Sequence, residues 1–73
     1  MEATKVGLSR EYLNSQGYTS AGRYFGVGAP LYRYGFTDDQ GVDQWGFVRG
    51  VTREAAKAAV RELHRDQNLR FHR

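Results

Sequence analysis

Cysteine is absent from this chain, which excludes disulfides, thiolate nucleophiles and cysteine-ligated zinc together. Small secreted domains usually depend on such staples, so a reducing, cytoplasmic location is expected. No stretch approaches the roughly 20 apolar residues of a membrane span. Met1 to Leu8 also lacks the basic-then-apolar order of a signal peptide. Histidine is nearly as scarce. His64 and His72 both lie among arginines, with no neighbouring carboxylate placed to orient either ring as a base. Ser9 and Ser20 have no nucleophile context. Asp38, Asp39 and Asp43 do not follow calcium-loop spacing, and Gly41 comes too early for one. Gly22, Gly26 and Gly28 do not fall in the G-x-G-x-x-G order of a phosphate-binding turn. A non-enzymatic protein with no metal or cofactor is the expectation.

What is present is aromatic and basic. Hydrophobic residues make up 40% of the 73 positions and aromatics 14%, a composition that folds. A single small domain spanning 1–73 is expected. A chain this short buries only about 60% of its unfolded surface, so large rings compensate for a thin core. The net charge of +3 is unevenly placed: residues 1–48 carry −1 and residues 49–73 carry +4. Nine of the eleven cations are Arg, whose planar fork suits phosphates and carboxylates, which points to recognition.

The periodicity predicts an α+β fold. Ser9 as cap, Leu8 with Leu13 as staple and Gly17 as stop predict a short N-terminal helix. Arg23-Tyr24-Phe25 reads as a short strand or ordered loop before Pro30. Leu31 to Thr37 alternates, with Tyr32, Tyr34 and Phe36 on one face. Asp38 to Gly41 is a turn, and Val42 to Val51 alternates again, with Trp45, Phe47 and Val51 assigned to the core face. These two segments form a β-hairpin, the basis of an antiparallel sheet. Thr52 caps an amphipathic C-terminal helix over 53–65, and Ala56, Ala59, Val60 and Leu63 form the stripe that packs on the sheet. Asn68 ends that helix, and Leu69 to Arg73 alternates as a final short strand.

From strand, turn and strand into Thr52-Arg53-Glu54-Ala55-x-x-Ala58, residues 31–64 resemble the AP2-like DNA-binding module and the arm-type N-terminal domain of phage integrases. In that family a small antiparallel sheet enters a groove of DNA with a helix packed behind it. The resemblance implies that Arg33 and Arg49, on the strands, face the groove. Asp38, Asp39 and Asp43 put negative charge at the hairpin turn, which phosphates would oppose.

Two functions follow as expectations. In the first, Arg53, Lys57, Arg61, Arg65, Arg70 and Arg73 dock on nucleic acid or a nucleoprotein complex, with Arg33, Arg49, Tyr24 and Tyr32 adding groove contacts or stacking. In the second, the chain is a phage-encoded inhibitor of a host protein target, of the anti-CRISPR type. Separate acidic and basic surfaces and spare aromatic rings would then serve a protein interface.

Overall fold

The computed structural model describes residues 3–71. The described chain runs β1 (Thr4–Glu11), β2 (Leu31–Thr37), β3 (Asp43–Arg49), α1 (Arg53–Leu63) and β4 (Leu69–Phe71). The strands form one mixed sheet in the order β3-β2-β1-β4. β1, β2 and β3 pair antiparallel, and β4 joins β1 in parallel. The fold is α+β, with the hairpin, the packed helix and the final strand where the sequence predicted them. The last two residues of the predicted strand, His72 and Arg73, lie outside the described residues.

The N-terminal helix is not there: Thr4 to Glu11 is a strand. Its apolar positions Val6 and Leu8 are two apart, and both are buried, Val6 completely. The capping signals at Ser9 and Leu13 are local, whereas β2 offers β1 five consecutive partners, from Gly7↔Gly35 to Glu11↔Leu31. Tertiary pairing outweighs helix propensity here. Gly17 does have a positive φ, of 88°, but it serves a turn. In that turn Asn14 Oδ1 accepts the amides of Gln16 and Tyr18, and Gly17 N–H donates to Asn14 O.

The hairpin turn forms as its residues predict. Asp38 Oδ1 accepts the amides of Gln40 and Val42, its Oδ2 accepts from Gln44 Nε2, and Gly41 takes a φ of 79°. The amide of Val42 above all, with further bonds from Gln44 and Gln40, holds the Asp38 carboxyl below its ordinary range. A carboxylate whose folded pKa is depressed stabilises the fold above its unfolded value, about 4, and loses that contribution as pH falls through the lower folded value. We therefore expect the hairpin amides of Gln40 and Val42 to lose hydrogen-exchange protection on acidification below about pH 4. In an Asp38→Ala variant that protection should already be lost at neutral pH. Unchanged protection in both cases would show that the turn closes without the carboxylate.

The core lies on one face of the sheet. Val6 and Leu8 of β1, Tyr32, Tyr34 and Phe36 of β2, Val48 of β3 and Leu69 of β4 meet Ala56 and Val60 of α1. Thr52 caps α1 as predicted, its Oγ1 accepting from Ala55 N at 3.1 Å. The buried residues of the helix are Ala56 and Val60, and the half-buried His64 follows at the same four-residue spacing just past its end. Ala59 is partly buried against the core. Leu63, assigned to the stripe, is 62% exposed. The helix ends at Leu63, and His64 acts as its C-cap, its amide donating to Val60 O. The imidazole then covers the core where Leu63 was expected: Nε2 shares a 2.8 Å hydrogen bond with the Tyr34 hydroxyl, and the ring stands edge-on to Phe36. Asn68 therefore lies beyond the helix end.

A second correction concerns β3. Gln44, Gly46 and Val48 pair with Phe36, Tyr34 and Tyr32, so they share the core face. Trp45 and Phe47 point to the opposite face, and Trp45 is 59% exposed. Val51, expected with them, is exposed beyond the strand. Gly46 explains the choice of register. A Cβ there would lie 3.0–3.2 Å from three atoms of the Tyr34 ring and hydroxyl, so the bare glycine lets Tyr34 cross β3 toward His64. The alternating period alone does not say which of its two faces is inward.

Candidate nucleic-acid interface

The sheet face away from α1 can be read as a grid. Its register gives three rows across the strands: Gly7–Gly35–Trp45, Ser9–Arg33–Phe47 and Glu11–Leu31–Arg49. At the β1 edge Lys5 pairs with Arg70 of β4, placing two cations side by side on the same face.

The segment from Tyr12 to Pro30 folds back over the third row. Arg49 holds it there: Nη1 donates to Ala29 O at 2.6 Å, and Nη2 donates to Phe25 O at 2.7 Å and Gly26 O at 2.9 Å. Three charge-assisted bonds to carbonyls make Arg49 a clamp for this loop, not a groove-facing side chain. Leu31 in the same row is buried to 4% exposure. The clamp also seats Phe25 on Phe47, with ring centroids 4.7 Å apart, and Arg23 lies over both rings.

The other two rows stay open. Arg33 Cζ stands 5.5 Å from the Trp45 ring centroid, and Trp45 meets Phe47 edge-on at 6.0 Å. Phe25, Phe47 and Trp45 thus form a ladder of rings with Arg23 at one end and Arg33 at the other. Beside it is a shallow depression of about 290 Å³, lined by Gly7, Ser9, Arg33, Tyr34, Gly35 and Trp45. The negative groups of this face are peripheral. Asp43 lies at the end of β3 and accepts from Thr37 Oγ1, and Glu11 lies at the far end of β1.

The residues singled out from the sequence are divided between two sides of the molecule. Arg33 and Arg70 lie on the open sheet face. Lys57 and Arg61 belong to α1, which packs on the opposite face, and Arg65 lies in the turn just after it. There Lys57 pairs with Glu54 at 3.1 Å and Arg65 with Glu62 at 3.7 Å. Arg61 and Lys57 also lie over the Phe71 ring. Arg53 opens the helix and is partly buried. Tyr24 is 63% exposed in the loop, its ring tilted against Tyr18 with centroids 5.0 Å apart. Tyr32 is in the core, at 8% exposure, so it offers no ring to a partner. Arg73 lies outside the described residues.

The residues that sequence reasoning missed as a site are Trp45, Phe47, Lys5 and the glycine pair. For Trp45 and Phe47 the signal is the alternation of β3, assigned from the sequence to the core; Lys5 and Gly7 lie on β1, where a helix start was expected nearby. Among the described residues no helix is long and apolar enough to cross a membrane. Comparison with protein-family models, curated proteins and solved structures finds no match to this chain.

Proposed function

We propose that the protein is a non-enzymatic nucleic-acid-binding module that works through the open face of its sheet. One observation carries this reading: an exposed Trp45 ring that meets the half-buried Phe47 edge-on, bracketed by Arg33 and Arg23, on a face that also holds Lys5 and Arg70. Cations supply attraction to phosphates, and aromatic faces supply packing or stacking for bases. The sheet backed by a helix suits the resemblance to the AP2-like and integrase arm-type modules. It shifts the emphasis from the helix, whose cations pair with Glu54 and Glu62, to the strands. A cysteine-free composition suits the reducing interior of a cell, where nucleic acid is at hand.

The test is salt dependence face by face. Replacing Arg33 and Arg70 with Ala should remove about two phosphate contacts and flatten the slope of log K against log salt by roughly 1.4–1.8. The Arg61→Ala/Arg65→Ala pair, on the helix and the turn after it, should leave the slope nearly unchanged. The reverse result would move the interface to α1. No binding of DNA or RNA at low salt would end the proposal and favour a protein target, for which the same Trp and Arg side chains would be anchors.

A further inference from the structure

The uncovered rows of the sheet carry a feature that the fold does not require. Gly7 and Gly35 pair directly across β1 and β2 on the open face, as the end pair of that ladder. Glycine inside a strand weakens it and ordinarily marks a bulge or the close approach of another group. The pairing of β2 with β3 runs unbroken through Gly35, and Gly7 is the end residue of the β1 ladder with β2. Close packing within the protein does not explain them either. A Cβ on Gly7 would have nothing nearer than Gly35 O at 3.9 Å, and one on Gly35 would meet only ordinary contacts at 3.6 and 3.7 Å. The contrast with Gly46 and Gly50 is direct, because their added Cβ would strike neighbouring atoms at 3.0 and 2.5 Å. Gly7 and Gly35 keep bare a floor that faces outward.

The surroundings of that floor specify what it suits. Trp45 completes the same row, so a large, 59% exposed ring stands at the end of two bare residues. Arg33, two residues from Gly35, lies over the indole, and Ser9 is its neighbour across β1. On the other side of the row Lys5, two residues from Gly7, is paired with Arg70. A flat apolar ring, a floor without side chains and cations on both flanks match a planar base with its phosphates on either side. The base must be unpaired, since stacking on Trp45 requires a free π-face. Entry of the hairpin into a duplex groove is opposed at the tip. There Asp38 is held ionised by the turn's own amides, and Asp39 and Asp43 are exposed.

We propose that the Gly7–Gly35–Trp45 row is a seat for an unpaired base, and that the ligand of the open face is single-stranded nucleic acid. This rests on the nucleic-acid reading above and narrows it. The base lies on the glycine floor against the indole, Arg33 and the Lys5–Arg70 pair hold the flanking phosphates, and Ser9 supplies a hydroxyl at the edge.

Trp45 is the single tryptophan of the chain, so intrinsic fluorescence reports on this seat alone. Oligothymidylate and oligouridylate of roughly 12 nucleotides are titrated against the intact protein, beside a duplex of equal length. The single strands should quench Trp45 and bind more tightly than the duplex. With labelled oligonucleotides, Trp45→Ala should weaken single-strand binding by about 5- to 150-fold, the effect of losing one base stack. Gly7→Val should weaken it at least about tenfold by filling the floor, since sequence-tolerant binding depends on that stack. Its melting temperature should not fall, because the added side chain has room. Equal or tighter duplex binding, an unquenched tryptophan, or full affinity in a well-folded Gly7→Val would overturn the single-strand seat and leave the broader reading standing. Absence of binding to every oligonucleotide overturns both.

Discussion

Gly50→Ala is expected to destabilise the protein by about 3 kcal/mol or more, at the upper end of what overpacking costs. Gly50 is buried between β3 and α1, and its amide donates to Pro30 O. A Cβ there would lie 2.5 Å from Ala56 N, 2.9 Å from Thr52 O and 3.0 Å from Ala55 C. All three are main-chain atoms of the first helical turn, so no side chain can swing aside. Relief requires the start of α1 to move, which breaks the Ala56 N–H to Thr52 O bond and withdraws Ala56 from the core. A chain this long has about 4–11 kcal/mol of stability in total. The substitution should therefore lower the melting temperature by about 12–24 °C. Gly7→Ala is the control: its Cβ meets open space, and it should gain up to about 1 kcal/mol by removing glycine from a strand. If the two variants melt alike, the junction is not the tight point described here.

Tyr34→Ala should cost about 3–5 kcal/mol, and Leu63→Ala less than about 0.5. Tyr34 is 6% exposed, stacks near Phe36, crosses Gly46 and ends on His64. Burial pushes its phenol above the ordinary value, so the hydroxyl keeps its proton at neutral pH. Truncation leaves a ring-sized void and strands His64, whereas Tyr34→Phe should cost only about 1 kcal/mol for the lost bond. Leu63 has no comparable place, being 62% exposed at the last helical position. Urea midpoints of the three variants decide the matter. A Leu63→Ala loss matching that of Tyr34→Ala would restore the apolar stripe read from periodicity and remove His64 from the core.

Local grammar was legible in the residues themselves. Thr52 at the helix start and the Asp38–Gly41 turn are set by contacts within a few positions. Alternation marks the hairpin strands and the final strand, although β4 pairs with β1 far away in the chain. A reader of the chain can therefore find them. Tyr32, Tyr34 and Phe36 were assigned inward on their shared parity, and all three are buried.

What the chain alone could not decide were choices between equally good local options. Leu8 and Ser9 satisfy a helix start as readily as a strand, and only the presence of β2 alongside selects the strand. Trp45 and Phe47 carry the more apolar half of the β3 alternation, yet they face outward. Gly46 is the residue that Tyr34 must cross, and pairing with β2 puts Gly46 inward. Leu63 is the last residue of α1 and is exposed there, while His64, the C-cap, takes the place against Tyr34 and Phe36. The candidate interface depends on the same decision. Once β3 takes that register, Gly7, Arg33, Gly35 and Trp45, drawn from three different strands, become neighbours. A composition of rings and arginines is visible in sequence, but which of them share a face is a property of strand pairing, and strand pairing is tertiary.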